Sequence, residues 1–163
     1  MGVSGSGKTT VGRAIAARLE FAFIEGDDHH PAANVEKMAA GVPLTDDDRI
    51  PWLEGLAALV ACHHQRGEGT ILACSALRRS YRDILRTAAP DETFIVHLAV
   101  DVETLRTRML ARAGHFMPTS LLASQLETLE PLQDDEAGVT IDATRALGVV
   151  IDEAIGAVDG ASG

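Results

Sequence analysis

The 163 residues predict an α/β fold with a mainly parallel sheet covered by helices on both faces. Three observations carry this. Short apolar runs alternate with helix-period segments along the whole chain. Two of the runs, 70–74 and 93–100, are nearly continuous in apolar character, as parallel strands buried on both sides tend to be. Residues 2–9 read Gly-Val-Ser-Gly-Ser-Gly-Lys-Thr, which matches G-x-x-x-x-G-K-[ST], a phosphate-holding loop that opens a helix.

The elements follow in order. Across 9–19, Val11, Ile15 and Leu19 recur every four positions, and Ala14, Ala16 and Ala17 favour helix. Residues 21–24 form a short apolar strand. It runs into Gly26-Asp27-Asp28-His29-His30-Pro31, where Pro31 suits the first turn of a helix that Gly41 closes. Thr45 and Asp48 make a capping pair, with Asp in place of the usual Glu. Pro51 then falls near the first turn of a helix carrying Trp52, Leu56, Leu59, Val60 and His63. The 70–74 strand follows. A helix over 80–88 turns Tyr81, Ile84 and Leu85 inward and stops before Pro90. After the 93–100 strand, Asp101 caps a helix that buries Leu105 and Met109, interrupted at 113–118. A helix over about 119–129, a strand at 139–141 and a last helix with Leu147, Ile151, Ile155 and Val158 complete the order. The tail 159–163 is small and polar and is expected to fray.

In the loop at 2–9, glycines let the backbone turn tightly with its N–H groups facing inward at oxyanions. Lys8 is expected to reach the β- and γ-phosphates of a nucleotide and to act catalytically. The Thr9 hydroxyl is expected to hold Mg²⁺, with the helix N-terminus aimed at the same phosphates. The nucleotide-binding set is Gly2, Val3, Ser4, Gly5, Ser6, Gly7, Lys8, Thr9 and Thr10. Such a loop ordinarily joins a buried strand to a helix. Here it begins at residue 2, so the first strand is missing from the sequence. Either the domain does without it, or Met1 is internal to a longer gene product and ends that strand. The loop is then expected to be less well anchored than its residues suggest.

The bulk numbers bound the rest. The length suits one domain, 1–163, with 46% hydrophobic and 23% charged residues. A formal net charge of −10, with no basic tail, argues against a nucleic-acid partner. Two cysteines, Cys62 and Cys74, lack metal-type spacing and suit a reduced, cytoplasmic setting. No run approaches the roughly 18 apolar residues of a membrane span.

Phosphoryl transfer needs an acceptor held in line, a group that engages its hydroxyl, and positive charge around the moving phosphoryl group. Asp27, just past a strand, is the candidate hydroxyl-activating acid; Asp28 is the near alternative, and helix capping is the competing role. Arg108 and Arg112 lie four apart on one helix face and lead into the Gly114 loop, as lid arginines over ATP do. A solvated helix face is the alternative. For an anionic acceptor, Arg49, Arg78, Arg79, Arg82, His30 and Lys37 are available. His63-His64 and His29-His30 make poor metal sites, and Asp46-Asp47-Asp48 stands where a helix N-terminus favours acid. No acid follows the apolar strand at 70–74, which runs into Ser75, so Mg²⁺ would rest on Thr9, the nucleotide and waters, with help from Asp27.

Several stretches together resemble the gluconokinase family, of the shikimate-kinase-like branch of small P-loop kinases. They are Met1 to Lys8; Gly26-Asp27 with His30-Pro31; Asn34-Val-Glu-Lys-Met38; Gly41-Val-Pro-Leu44; Asp46-Asp-Asp-Arg49 with Pro51-Trp52-Leu53; Cys74-Ser-Ala-Leu77 with Tyr81-Arg-Asp83; Arg112-Ala-Gly-His-Phe116; and Ser124-Gln125 with Glu127 to Pro131. The phosphate loop alone implies only nucleotide binding. The combination from Lys37-Met38 to Pro51-Trp52-Leu53 is far more specific.

The resemblance implies a three-layer, nucleoside-monophosphate-kinase-like P-loop fold. Its substrate-binding helical region covers about 27–66 and its lid about 112–125. It implies Mg²⁺- and ATP-dependent phosphorylation of D-gluconate at the 6-hydroxyl, a cytoplasmic setting in gluconate utilization, and a homodimer. By position, Asp27 engages the 6-hydroxyl; Arg49 and Arg78, with His30 and Lys37, contact gluconate; and Arg112 is the catalytic lid arginine on ATP, beside Arg108. Asp28-His29 and Leu126 depart from the family's usual apolar and aromatic residues. Two alternatives stay open: a kinase of another small hydroxy acid such as shikimate, or a truncated nucleotide-binding protein with little catalysis.

Overall fold

A computed structural model of the chain describes residues 1–111 and 120–161. The α/β expectation is borne out, with strands and helices alternating as α1 (Lys8–Leu19), β1 (Ala22–Glu25), a 3₁₀ turn (Gly26–His29), α2 (Ala32–Ala39), α3 (Asp46–His64), β2 (Thr70–Ala73), α4 (Arg79–Arg86), β3 (Ile95–Ala99), α5 (Val102–Ala111), α6 (Ser120–Thr128), β4 (Gly138–Asp142) and α7 (Leu147–Ala161).

The strands pair in parallel as β1 with β2 and β3 with β4. Between the two pairs lies the start of the chain. The Met1 nitrogen donates to Val96 O, and Leu98 N donates to Met1 O at 3.0 Å, the pattern of a parallel ladder opposite His97. Gly2 N donates to Ser75 O at 3.2 Å on the other side. Two residues thus bridge the pairs and anchor the base of the phosphate loop between β2 and β3. Side-by-side order is β1, β2, Met1-Gly2, β3, β4.

Helices cover both faces. Val11 and Ile15 of α1 pack with Leu98, Ile141, Val150, Ile151 and Ala154, joining α1 and α7 to β3 and β4. On the other side Trp52, Leu53 and Leu56 of α3 pack with Ile24, Cys74 and Tyr81. Leu53 and Leu56 are fully buried, each contributing about 1.5–3 kcal/mol.

The Thr45–Asp48 pair forms a reciprocal capping box, so α3 starts at Asp46. Pro51 therefore sits inside α3, one turn later than the sequence suggests, and gives up one helical hydrogen bond. The segment after β1 is a 3₁₀ turn, which no apolar periodicity could announce.

Candidate active site

The phosphate loop, Asp27 and Ser75 all stand at carboxyl ends of strands or beside them, where ligands of parallel sheets bind. They converge on one cavity of about 310 Å³. Ser4 and Lys8 line one end; Asp27, Asp28 and His30 line the next; Arg49 and Trp52 come from α3; Ser75, Ala76 and Leu77 come from the loop after β2; Leu121 and Gln125 come from α6.

The loop has the backbone that its glycines permit. Gly5 and Gly7 have φ of 82° and 99°, in the left-handed region. A Cβ on Gly2 would fall 2.8 Å from Ser6 Oγ and 2.9 Å from Leu98 O, so the turn closes only with glycine there. At Gly7 nothing lies within 4 Å of such an atom. Lys8 Nζ donates to Val3 O at 3.1 Å, folding back over the loop. Ser6 Oγ is buried with no hydrogen-bond partner among the described residues. A buried polar atom left without a partner in a glycine-rich loop of this pattern is compatible with a phosphate-holding loop. Thr9 follows at the head of α1; no cluster of three His, Cys, Asp or Glu side chains suited to a metal occurs among the described residues. A lone hydroxyl donor such as that of Thr9 suits a hard divalent ion that keeps most of its waters.

On the acceptor side, Gly26 lets the chain turn into the 3₁₀ segment that carries Asp27. A Cβ at Gly26 would lie 2.7 Å from Ala73 O. Trp52 Nε1 donates to Gly26 O at 3.0 Å and fixes that turn. The Trp52 ring stacks on His30, centroids 3.9 Å apart and planes 19° from parallel. Burial holds the His30 imidazole below its ordinary pKa, against an opposite pull from Asp27, so His30 is neutral at pH 7. Its Nδ1 is buried without a partner among the described residues.

The arginines divide. Arg49 lines the cavity, and its Nη1 donates to Tyr81 Oη at 3.3 Å. Arg78 lines an adjoining open recess, where it donates to Asp46 Oδ2 at 2.8 Å. The Tyr81 hydroxyl donates to the other Asp46 oxygen, and both guanidiniums lie 5.7 Å from its ring centre. Tyr81, read from sequence only as an inward helix position, is thus the pivot between Arg49 and Arg78. Lys37 lies outside the cavity lining and donates to Asp48 Oδ1 at 2.6 Å; that bond, with those from Thr45, lowers the Asp48 carboxyl to about 2.

Arg82, offered by sequence as an acceptor ligand, is instead buried. Its Nε and Nη2 meet both Glu136 oxygens at 2.6 and 2.7 Å. It also donates to Ala76 O, Leu77 O, Glu130 O and Pro131 O. This hub fixes the cavity wall after β2, where Ala76 holds a positive φ of 44°. Arg79 is likewise occupied, by Asp83 and Asp135. Arg108 Nη2 donates to Ala143 O at 2.8 Å. Arg112 lies outside the described residues, as does most of the lid at 112–125 up to residue 119.

Sequence reasoning named neither Trp52 nor Gln125 as part of the site. Both fall in stretches that carry the family resemblance, Trp52 in Pro51-Trp52-Leu53 and Gln125 in Ser124-Gln125, but nothing local to either residue marks it as lining the cavity.

A phosphate loop at one end of a cavity and an acid at its side define the class: a P-loop kinase acting on a small acceptor. A family model described as an AAA domain matches residues 1–132. The chain is 50% identical to the thermosensitive gluconokinase of Escherichia coli K12 over 139 residues, covering 85% of this chain and 74% of that one. A crystal structure of a gluconokinase from Sinorhizobium meliloti 1021 superposes with a TM-score of 0.85 at 45% identity, over 98% of this chain and 89% of the other. An unliganded sugar kinase from Janibacter sp. HTCC2649 superposes with a TM-score of 0.93, also at 45% identity, over 98% and 91%. The chain belongs to the gluconokinase family.

Proposed function

We propose that this kinase transfers the γ-phosphoryl group of ATP to the 6-hydroxyl of D-gluconate, giving 6-phospho-D-gluconate and ADP. The observation that carries it is the shared cavity: Lys8 and Ser4 of the phosphate loop, Asp27, His30 and Arg49 face one space of about 310 Å³. Asp27 accepts the proton of the attacking hydroxyl, as a positioned acid does in phosphoryl transfer. Arg49 meets the carboxylate, and neutral His30 offers a ring nitrogen to a sugar hydroxyl. Arg78, held by Asp46 at the mouth, adds positive charge to the entry path. Lys37 acts through Asp48, steadying the start of α3.

Gly2 to Thr10 cradle the triphosphate, and Lys8 swings from Val3 O to the phosphates when they arrive. Thr9, with help from Asp27, would hold Mg²⁺, and the ion would supply neutralisation of phosphate charge. Arg112 is the lid arginine, and Arg108 supports the nucleotide side through its hold on Ala143 O. The lid over about 112–125 and the helical region over about 27–66 belong to one domain, 1–163. We place the enzyme in the cytoplasm as a homodimer serving gluconate utilization. No helix among the described residues is long and apolar enough to cross a membrane.

The test is coupled ADP release with Mg·ATP over a panel of sugar acids. Gluconate is expected to give the highest kcat/KM. Faster turnover of shikimate overturns the acceptor assignment, and nucleotide binding without turnover of any acid overturns catalysis.

A further inference from the structure

One contact crosses from α6 to the phosphate loop. Gln125 Oε1 accepts the Ser4 backbone N–H at 2.7 Å, between residues 121 positions apart. Ser4 and Lys8 are the loop residues that line the cavity holding Asp27, so this N–H stands at the acceptor end of the loop. Loops of this kind turn their N–H groups onto phosphate oxygens. A carboxamide oxygen, carrying partial negative charge at hydrogen-bond distance, offers that donor what a phosphoryl oxygen would offer. Four residues earlier on the same helix, Leu121 packs against Met38 and Leu44. Leu121 and Gln125 share one helical face. That face therefore touches the nucleotide loop at one point and the apolar wall of the acceptor region at the other.

We infer that Gln125 is a positioning residue that couples the two substrates. In the nucleotide-free protein its side-chain oxygen holds the Ser4 N–H as a stand-in for the transferring phosphoryl group. Arrival of the γ-phosphate takes that donor, releases Gln125 and shifts α6, and Leu121 carries the shift to Met38 and Leu44. Each substrate then binds more tightly in the presence of the other, as reciprocal linkage requires. The identity of the acceptor rests on the proposed function; the Gln125–Ser4 contact does not.

Two variants test it. Gln125→Leu keeps the bulk and removes hydrogen bonding, while Gln125→Asn keeps the carboxamide and shortens its reach. Hydrogen exchange at the Ser4 amide, measured well below melting, is expected to speed up about tenfold or more in both nucleotide-free variants. It is expected to match wild type once a non-hydrolysable ATP analogue is bound. In calorimetric titration, gluconate is expected to tighten analogue binding at least about fivefold in wild type, with a ratio near one in both variants. Unchanged Ser4 exchange overturns the contact. A wild-type coupling ratio in either variant, or no coupling in wild type, overturns the role assigned to it. Failure of wild type to phosphorylate gluconate overturns the function instead, and the exchange measurement still decides the contact.

Discussion

Replacing Glu136 by Gln isolates what the buried Arg82 hub contributes. Both side chains are sealed from solvent, at 1% and 0% exposure, and they meet in a two-pronged pair at 2.6 and 2.7 Å. The Glu136 oxygen also accepts the Gln133 N–H at 3.0 Å. Gln is nearly isosteric, so packing is retained while Arg82 keeps its charge without a counter-ion. Removing one partner of such a pair costs about 3–5 kcal/mol. Taking the lower end, and about 2–4 °C per kcal/mol for a chain of this size, Glu136→Gln is expected to melt about 6–12 °C below wild type.

Circular dichroism melts measure this directly. Arg82 holds the Glu136 carboxyl below its ordinary pKa, chiefly by hydrogen bonding. A lowered folded pKa means that the contribution is complete above the ordinary carboxylate range of about 4.3 and is lost as pH falls through the folded value. The gap between wild type and variant is therefore constant from about pH 7 to 5 and narrows in stronger acid. The double variant Arg82→Met, Glu136→Leu removes both charges and is expected to recover part of the loss. Because Arg82 also holds the Ala76 and Leu77 carbonyls, Glu136→Gln is expected to raise KM for gluconate more than KM for ATP. A melt within about 2 °C of wild type at pH 7 refutes the assignment of a dry, charge-paired hub.

Other outcomes follow from single contacts. Asp27→Asn is expected to lower kcat by about 10²–10⁴, as loss of a positioned base does; steady-state kinetics on a variant with a native melt checks it. Trp52 is the only tryptophan and stacks on His30, so its fluorescence is expected to titrate with a midpoint below about 6.5, the ordinary His value, because burial lowers that pKa. A midpoint at or above that value, or the same curve in His30→Leu, counts against the stack as the reporter. Lys37→Ala is expected to leave gluconate KM within about twofold, since Lys37 lies outside the cavity lining and is spent on its pair with Asp48. A tenfold rise in KM would place Lys37 on the acceptor.

Much of this was legible in the residue pattern because its causes are local. The G-x-x-x-x-G-K-T run dictates its own turn, since Gly5 and Gly7 take backbone angles that cost other residues, and Lys8 opens a helix at once. The Thr45–Asp48 cap is likewise a contact within one turn, and it sets where α3 begins. Asp27 could be placed in the site because a residue just past a parallel strand lies where such sheets bind ligands.

The fates of the arginines were not legible. Arg49, Arg78, Arg79 and Arg82 are equivalent in composition, yet one enters the cavity, one guards its mouth, one is held at the surface and one is buried. What separates them is which acid comes within reach: Asp46 for Arg78, Asp135 for Arg79 and Glu136 for Arg82. The last two lie more than 50 positions away along the chain. The Gln125–Ser4 and His30–Trp52 contacts depend in the same way on segments that only folding brings together. By itself the sequence determined that a nucleotide's phosphates are held and where along the chain. The tertiary structure alone decided which side chains share the cavity with them, because a charge or an amide takes its role from partners that packing supplies.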